Sequence, residues 1–276
     1  YDWPGVLDFF GRHAVDGIET VENDTYSRNI FINGAAARIH VSPHPRKDAL
    51  RLKLQTQEVA QLMPLVARIR AQFDLDAQPE DIGAQLSADK ALSPLVQQWP
   101  GIRSPVVSSI FECAVRAILG QQISIGAARN LCAKIVQACD HRADLDGESL
   151  LLFPRPEQIA SLPDACLPMP GSRRETLRTV CRFFYESSVD ASENPTALIE
   201  NLAGLRGIGP WTIEILRMRG LGEPDAFPLT DLGLLKSLDP LAALKARDFK
   251  RRVDIWKPWR SYAANLLWRN LCHDDS

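Results

Sequence analysis

The chain has 276 residues, 45% hydrophobic and 24% charged, with 32 Lys and Arg against 34 Asp and Glu for a formal net charge of −2. That length exceeds what one compact core usually reaches, so two or three packed units are expected. No apolar run approaches the roughly 20 residues that span a bilayer, and a near-neutral balance argues against a simple phosphate binder, since nucleic-acid domains are usually basic.

The opening YDWPGVLDFFGRH lacks a basic segment and does not read as a secretory signal. Because the chain begins at Tyr1 instead of Met, a piece of a longer protein is expected. VLDFFGRHAV predicts a short amphipathic helix, followed by strand-like runs GIETVEN, YSRNIFING, AAARIHVS and DALRLKLQ. Ile39 and Val41, then Leu50, Leu52 and Leu54, share one face by alternation. Asn33-Gly34 and the Pro43–Pro45 cluster mark turns too short for crossovers, so the sheet is expected to be antiparallel. EVAQLMPLVARIRAQFDL then sets Val59, Leu62, Val66, Ile69 and Phe73 at helical spacing, with Pro64 positioned to kink the helix or shift its start.

Beyond residue 80 the pattern contains no convincing strand. Helices are expected over about 80–97, 106–119, 123–139, 155–161, 172–186, 195–204, 210–220, 231–237, 246–254 and 258–272. Cysteines at 113, 132, 139, 166, 181 and 272 include no Cys-x-x-Cys, so zinc and iron–sulfur spacings are absent, and reduced, buried thiols are expected. His13, His40, His44, His141 and His273 form no ligand pair at helical spacing, and no catalytic metal is expected. From Gly204 to His273 there are twelve Lys and Arg against seven Asp and Glu, a local basic excess of five.

The stretch GLRGIGPWTIEI, residues 204–215, places three glycines in six positions before a helical run. Gly207 and Gly209 permit backbone shapes closed to other residues, and Pro210 suits the first position of a helix. Such a turn presents free N–H groups at a positive helix end, a ready anion site. No Lys-Ser/Thr follows, as a P-loop requires, and no strand precedes, as a dinucleotide fingerprint requires. By spacing alone the same residues serve equally as a plain helix connection.

The pattern L-x-G-I-G-x-W-T, followed by FPLTDLGLLK, resembles the helix-hairpin-helix glycosylases with a Gly/Pro-rich loop and a catalytic aspartate. YDWPGVLDFF, VRAILGQQIS and WKPWRSYAANLLW narrow the resemblance to the AlkA-type 3-methyladenine DNA glycosylase II family over nearly the whole chain. It implies an α+β fold: a TATA-binding-protein-like antiparallel sheet over 1–80, then an all-helical core. Within that core, 103–223 would hold the hairpin (195–220), while 81–102 and 224–276 would form a discontinuous second unit.

On this resemblance Asp231 is the catalytic residue, although Thr230-Asp231 before LGLLK also reads as a helix N-cap. Trp211, Trp268 and Phe9 match the base pocket, with Ile215 where close relatives carry tyrosine. Their faces would stack on a flipped base and attract a cationic one, whereas spacing alone reads them as core aromatics. Bifunctional relatives carry a Schiff-base lysine where Trp211 stands, so base release without strand cleavage is implied. Gly207, Ile208, Gly209 and Thr212 match the phosphate-gripping hairpin. Gln122 and Ile123 match the wedge that fills the vacated stack, although both glutamines of GQQIS would equally bond nearby backbone. Lys257 and Arg260 are candidate phosphate contacts or a solvated charged face.

The resemblance implies double-stranded DNA carrying alkylated bases as partner, no organic cofactor, a monovalent cation on the hairpin carbonyls, and a monomer in the cytoplasm. Three rival readings stand beside it: a hairpin protein that only binds DNA structure, a glycosylase/lyase for oxidised bases, and a helical protein-interaction module.

Overall fold

The computed structural model describes residues 1–32, 34–58, 62–186, 194–238 and 246–274. Helix α1 (Trp3–His13) starts at Asp2, whose Oδ1 accepts the Gly5 N–H at 3.0 Å. Strands β1 (Glu19–Glu22), β2 (Thr25–Ile32), β3 (Ala35–Pro43) and β4 (Leu50–Thr56) follow as an antiparallel meander. Pairing Ile39 with Leu54 and Val41 with Leu52 puts the expected alternating residues on one face. Phe10 of α1 and Leu65, Ile69 and Phe73 from the following helical segment cover Tyr26, Ile39 and Val41 of that face.

Helix α2 (Leu62–Gln72) holds Pro64 in its first turn, where a missing N–H costs nothing. Its inward stripe is Leu65, Ile69 and Gln72, while Leu62 is exposed and Val66 half-buried. The expected stripe is thus rotated. Val59, like Asn33 of the expected turn, lies outside the described residues.

The expected helix at 80–97 is two, α3 (Pro79–Ser87) and α4 (Ser93–Gln98), separated where Asp89 turns the chain by accepting the Ala91 N–H. Then come α5 (Ile110–Gly120), α6 (Ile125–Cys139), a hairpin of β5 (Arg142–Leu145) and β6 (Glu148–Leu151), and α7 (Pro156–Ala160). That hairpin corrects the expectation of an all-helical remainder. Its strands are four residues each, too short for an alternation signal, yet Asp146-Gly147 between them is a two-residue turn with both φ positive, at 54° and 85°. Helices α8 (Gly171–Glu186), α9 (Pro195–Ala203), α10 (Pro210–Ile215), α11 (Leu232–Leu238), α12 (Ala246–Asp254) and α13 (Arg260–Asp274) complete the order. A π turn, Leu216–Gly220, extends α10.

Three large apolar clusters result among the described residues, beside a small fourth in which Ala36 of β3 meets Leu145 and Leu150 of the β5–β6 hairpin. One lies under the sheet; one joins α5, α6, α8, α9 and the hairpin; one joins α3 and the 92–99 segment to Met218, Phe227 and α11 to α13. None of the six cysteines forms a disulfide; Cys113, Cys132 and Cys181 are buried, while Cys139, Cys166 and Cys272 are half-buried. No described helix is long and apolar enough to cross a membrane.

A buried charge network pins the sheet to α5. Arg28 sits in the inward stripe of β2, bonding Glu19 at 2.6 Å and Glu112 of α5. Arg116, one turn along α5, bonds Glu19 at 2.6 Å, and Tyr26 donates its hydroxyl to Glu19 at 2.8 Å. Buried ions are tolerated when paired in this way.

Candidate active site

The site forms where the extended hairpin helix, the loop before α11, and α13 meet. Asp231 caps α11: its Oδ1 accepts the Leu234 N–H at 3.0 Å, and its carbonyl accepts the Leu235 N–H at 2.9 Å. The same carboxylate receives two indole donors. Trp211 Nε1 donates to Oδ2 at 2.9 Å and Trp268 Nε1 donates to Oδ1 at 3.1 Å. Three N–H groups converge on one half-buried carboxylate, an arrangement that complements negative charge. The cap and the candidate catalytic position are therefore one residue in one geometry.

The loop that delivers Asp231 is fastened at several points. Phe227 N–H donates to Glu214 of α10 at 2.8 Å, and the Ser261 hydroxyl donates to the carbonyls of Glu223 and Ala226 at 2.7 and 2.9 Å. Arg260 forks onto Asp225 through Nε and an Nη at 2.7 and 2.8 Å. Arg260 thus clamps the loop through Nε and one Nη. Lys257 is exposed and bridges Asp254 at 3.0 Å.

Trp211, Ile215 and Arg219 are four apart along the extended helix and line one stripe. The π turn carries Arg219 into the interior, where it is 8% exposed. Its guanidinium carbon lies 4.3 Å from the Phe9 ring centre and 5.7 Å from that of Trp268. It donates to the Pro105 carbonyl at 2.9 Å and to Asn265 of α13. Burial lowers the Arg219 guanidinium to about 10. Phe9 and Trp268 both lie against a cation of the protein's own, which the sequence reading missed. The only signal was an arginine at helical spacing from Trp211 within an otherwise apolar stripe. Phe9 reaches this place because Asp2, the cap of α1, also pairs with Arg269, the neighbour of Trp268.

At the hairpin, Gly207 has φ +88° and an added Cβ would fall 2.0 Å from Thr176 Oγ1, so the turn passes too close to α8 for any side chain. At Gly209 nothing lies within 4 Å of that position, and the turn is open outward. Among the described residues the N–H groups of Gly207 and Gly209 donate to nothing. Ile208, between the two glycines, is 8% exposed, packs into the helical core, and spends its N–H on the Leu205 carbonyl at 3.1 Å. Thr212 is 1% exposed, and its hydroxyl accepts from Gln121 at 3.2 Å, so its side chain braces the turn from inside.

The two glutamines of GQQIS separate in role. Gln121 donates to the Gly207 carbonyl at 3.1 Å as well as to Thr212, and its own carbonyl accepts from Arg173 of α8. Gln122 is exposed at φ +59°, a shape non-glycine residues rarely adopt, with no side-chain partner among the described residues. Ile123 beside it is 38% exposed. The bracing glutamine and the presented one are adjacent.

The turn carbonyls of Leu205, Arg206, Gly207 and Gly209 accept from Ile208 N–H, the Thr176 hydroxyl, Gln121 and Ile213 N–H, at 3.1, 3.3, 3.1 and 3.1 Å. Each keeps a second lone pair, so a monovalent cation would share these oxygens with protein donors.

Residues 1–109 match the family model described as the AlkA N-terminal domain. The chain is 35% identical over 277 residues to the Mycobacterium tuberculosis protein named "Probable bifunctional transcriptional activator/DNA repair enzyme AlkA", covering 99% of this chain and 55% of that one. It therefore spans about half the length of that relative. To DNA-3-methyladenine glycosylase 2 of Escherichia coli it is 30% identical over 273 residues, covering 97% of this chain and 93% of that one. The solved 3-methyladenine DNA-glycosylase from Archaeoglobus fulgidus has the same fold, with a TM-score of 0.79 over 98% of this chain and 94% of that one at 20% identity. On the identity and coverage shared with the Escherichia coli enzyme, joined to the hairpin, the sheet and the fastened aspartate, the chain belongs to the DNA-3-methyladenine glycosylase 2 family.

Proposed function

We propose that this chain hydrolyses the N-glycosidic bond of alkylated purines turned out of duplex DNA, releasing the base and leaving an abasic site. The observation that carries the reading is the Asp231 carboxylate held between the indole N–H groups of Trp211 and Trp268. A fixed anion in an aromatic surround stabilises the oxocarbenium character that grows at C1′ as the base departs.

A carboxylate offers about four acceptor positions. The three N–H donors take three of them, two on Oδ1 and one on Oδ2. The remaining position, on Oδ2, is the one from which Asp231 would accept a hydrogen bond from the attacking water. The water oxygen bonds to C1′ and passes a proton to the Asp231 carboxylate, the C1′–N bond breaks, and the base leaves with the electron pair. A base carrying formal positive charge leaves neutral, so acid assistance is dispensable. The substrate class is accordingly N3- and N7-alkylpurines, 3-methyladenine first.

Selectivity rests less on cation–π attraction than the sequence suggests, because Arg219 already lies against Phe9 and Trp268. A flipped base would stack on the ring surface that Arg219 leaves. The free N–H groups of Gly207 and Gly209 would hold a backbone phosphate, Gln122 would fill the vacated stack, and Lys257 would add long-range attraction at most. A hairpin cation would brace the turn, and no step passes through it.

The test is incubation of methylated duplex DNA with the protein. Free 3-methyladenine and abasic sites are expected, borohydride traps no protein–DNA adduct, and the protein sediments as a monomer. Trapped adduct would overturn the monofunctional assignment, since Trp211 offers no amine.

A further inference from the structure

A cleft of about 410 Å³ opens between α6 and residues 168–173, away from the aspartate. The buried Leu131 and Met169 form an apolar floor, and the exposed Ile123 stands beside Asn130, Lys134 and Arg173 in its lining. Two bases and no acid line it. The segment around Gln121 separates this cleft from the hairpin. Gln121 holds the hairpin side through Gly207 and Thr212, while Ile123, two residues on, forms part of the cleft wall. Arg173 joins the two, lining the cleft and bonding the Gln121 carbonyl.

We propose that this cleft receives the strand opposite the lesion, and in particular the base left without a partner when the damaged nucleotide turns out. The inference rests on the glycosylase reading above. If the hairpin grips the damaged strand and Gln122 enters the gap, the surface on the far side of that wedge faces the complementary strand. An orphaned base has lost both its pair and part of its stack. An apolar floor accepts the flat face of any base, and base stacking on protein surfaces tolerates every sequence for that reason. Lys134 and Arg173 complement the phosphates of the same strand. The site therefore takes the orphaned nucleotide whatever its identity, which suits an enzyme whose lesions arise opposite different bases.

The experiment measures binding by fluorescence anisotropy to an oligonucleotide with a tetrahydrofuran abasic analogue, as duplex and as single strand. Ala127 is exposed and lines the cleft, so Ala127→Trp fills it without entering a core. Ala127→Trp and Lys134→Ala should each weaken duplex binding by about tenfold and leave single-strand binding unchanged. Lys134→Ala should also flatten the salt dependence of duplex binding by about one phosphate contact. Unchanged duplex affinity, or an equal loss on duplex and single strand, overturns the proposal. The assay needs no excision, so a protein that keeps the duplex-specific loss but releases no methylated base would sink the enzymatic reading and spare the cleft.

Discussion

Trp211 donates its indole N–H to Oδ2 of Asp231 at 2.9 Å, across twenty residues of chain. The indole of Trp211 therefore helps to orient the carboxylate. Trp211→Phe keeps the ring and deletes the donor. Single-turnover excision should fall by about tenfold to a hundredfold, the worth of one hydrogen bond to a charged group. Affinity for abasic-analogue DNA should stay unchanged; equal losses in both would mean the hairpin itself had moved.

Asp231→Asn should lower excision by about 10²–10⁴ while DNA binding persists. Asparagine caps helices well, but it offers one acceptor oxygen to the three donors that meet here. A stability loss of about 1 kcal/mol in urea unfolding should accompany the loss of activity. Near wild-type base release would remove Asp231 from the reaction.

The two hairpin glycines should respond differently to alanine. At Gly207 a Cβ meets Thr176 at 2.0 Å under a positive φ, so Gly207→Ala should disrupt the turn and lower the melting temperature. At Gly209 the Cβ meets nothing, so Gly209→Ala should melt like wild type yet bind DNA more weakly, its methyl standing where the strand approaches. Parallel melting and binding losses in both variants would contradict this division.

Acid should loosen the join between sheet and helices. Burial pushes the Glu19 carboxyl up, but Arg116 and Arg28 more than offset this and hold it at about 2, against an ordinary 4.5. The unfolded chain then takes up the proton first. Stability from this group is fully present above pH 4.5 and is lost as pH falls toward 2. Glu19→Gln should flatten that part of the stability–pH curve and cost about 3–5 kcal/mol at neutral pH by leaving buried guanidinium charge under-compensated. Urea midpoints between pH 2 and 6 would measure both effects.

The sequence by itself determined the elements whose cause is local. Alternation at Ile39, Val41, Leu52 and Leu54 specified strands, and the glycines around Ile208 specified the hairpin, because period and backbone freedom act within a few residues. The motif resemblance also singles out Asp231, Trp211, Trp268 and Phe9. Tertiary structure alone decided what those side chains do. Whether Trp211 points its face at a base or its N–H at Asp231 depends on where α11 ends up, and Arg219 meets Phe9 only because α1 is tied to α13. Arg28 in a buried strand face and Arg260 on Asp225 follow the same logic. A charge reads as surface in one dimension, and only a partner distant in sequence lets it be buried or makes it a clamp.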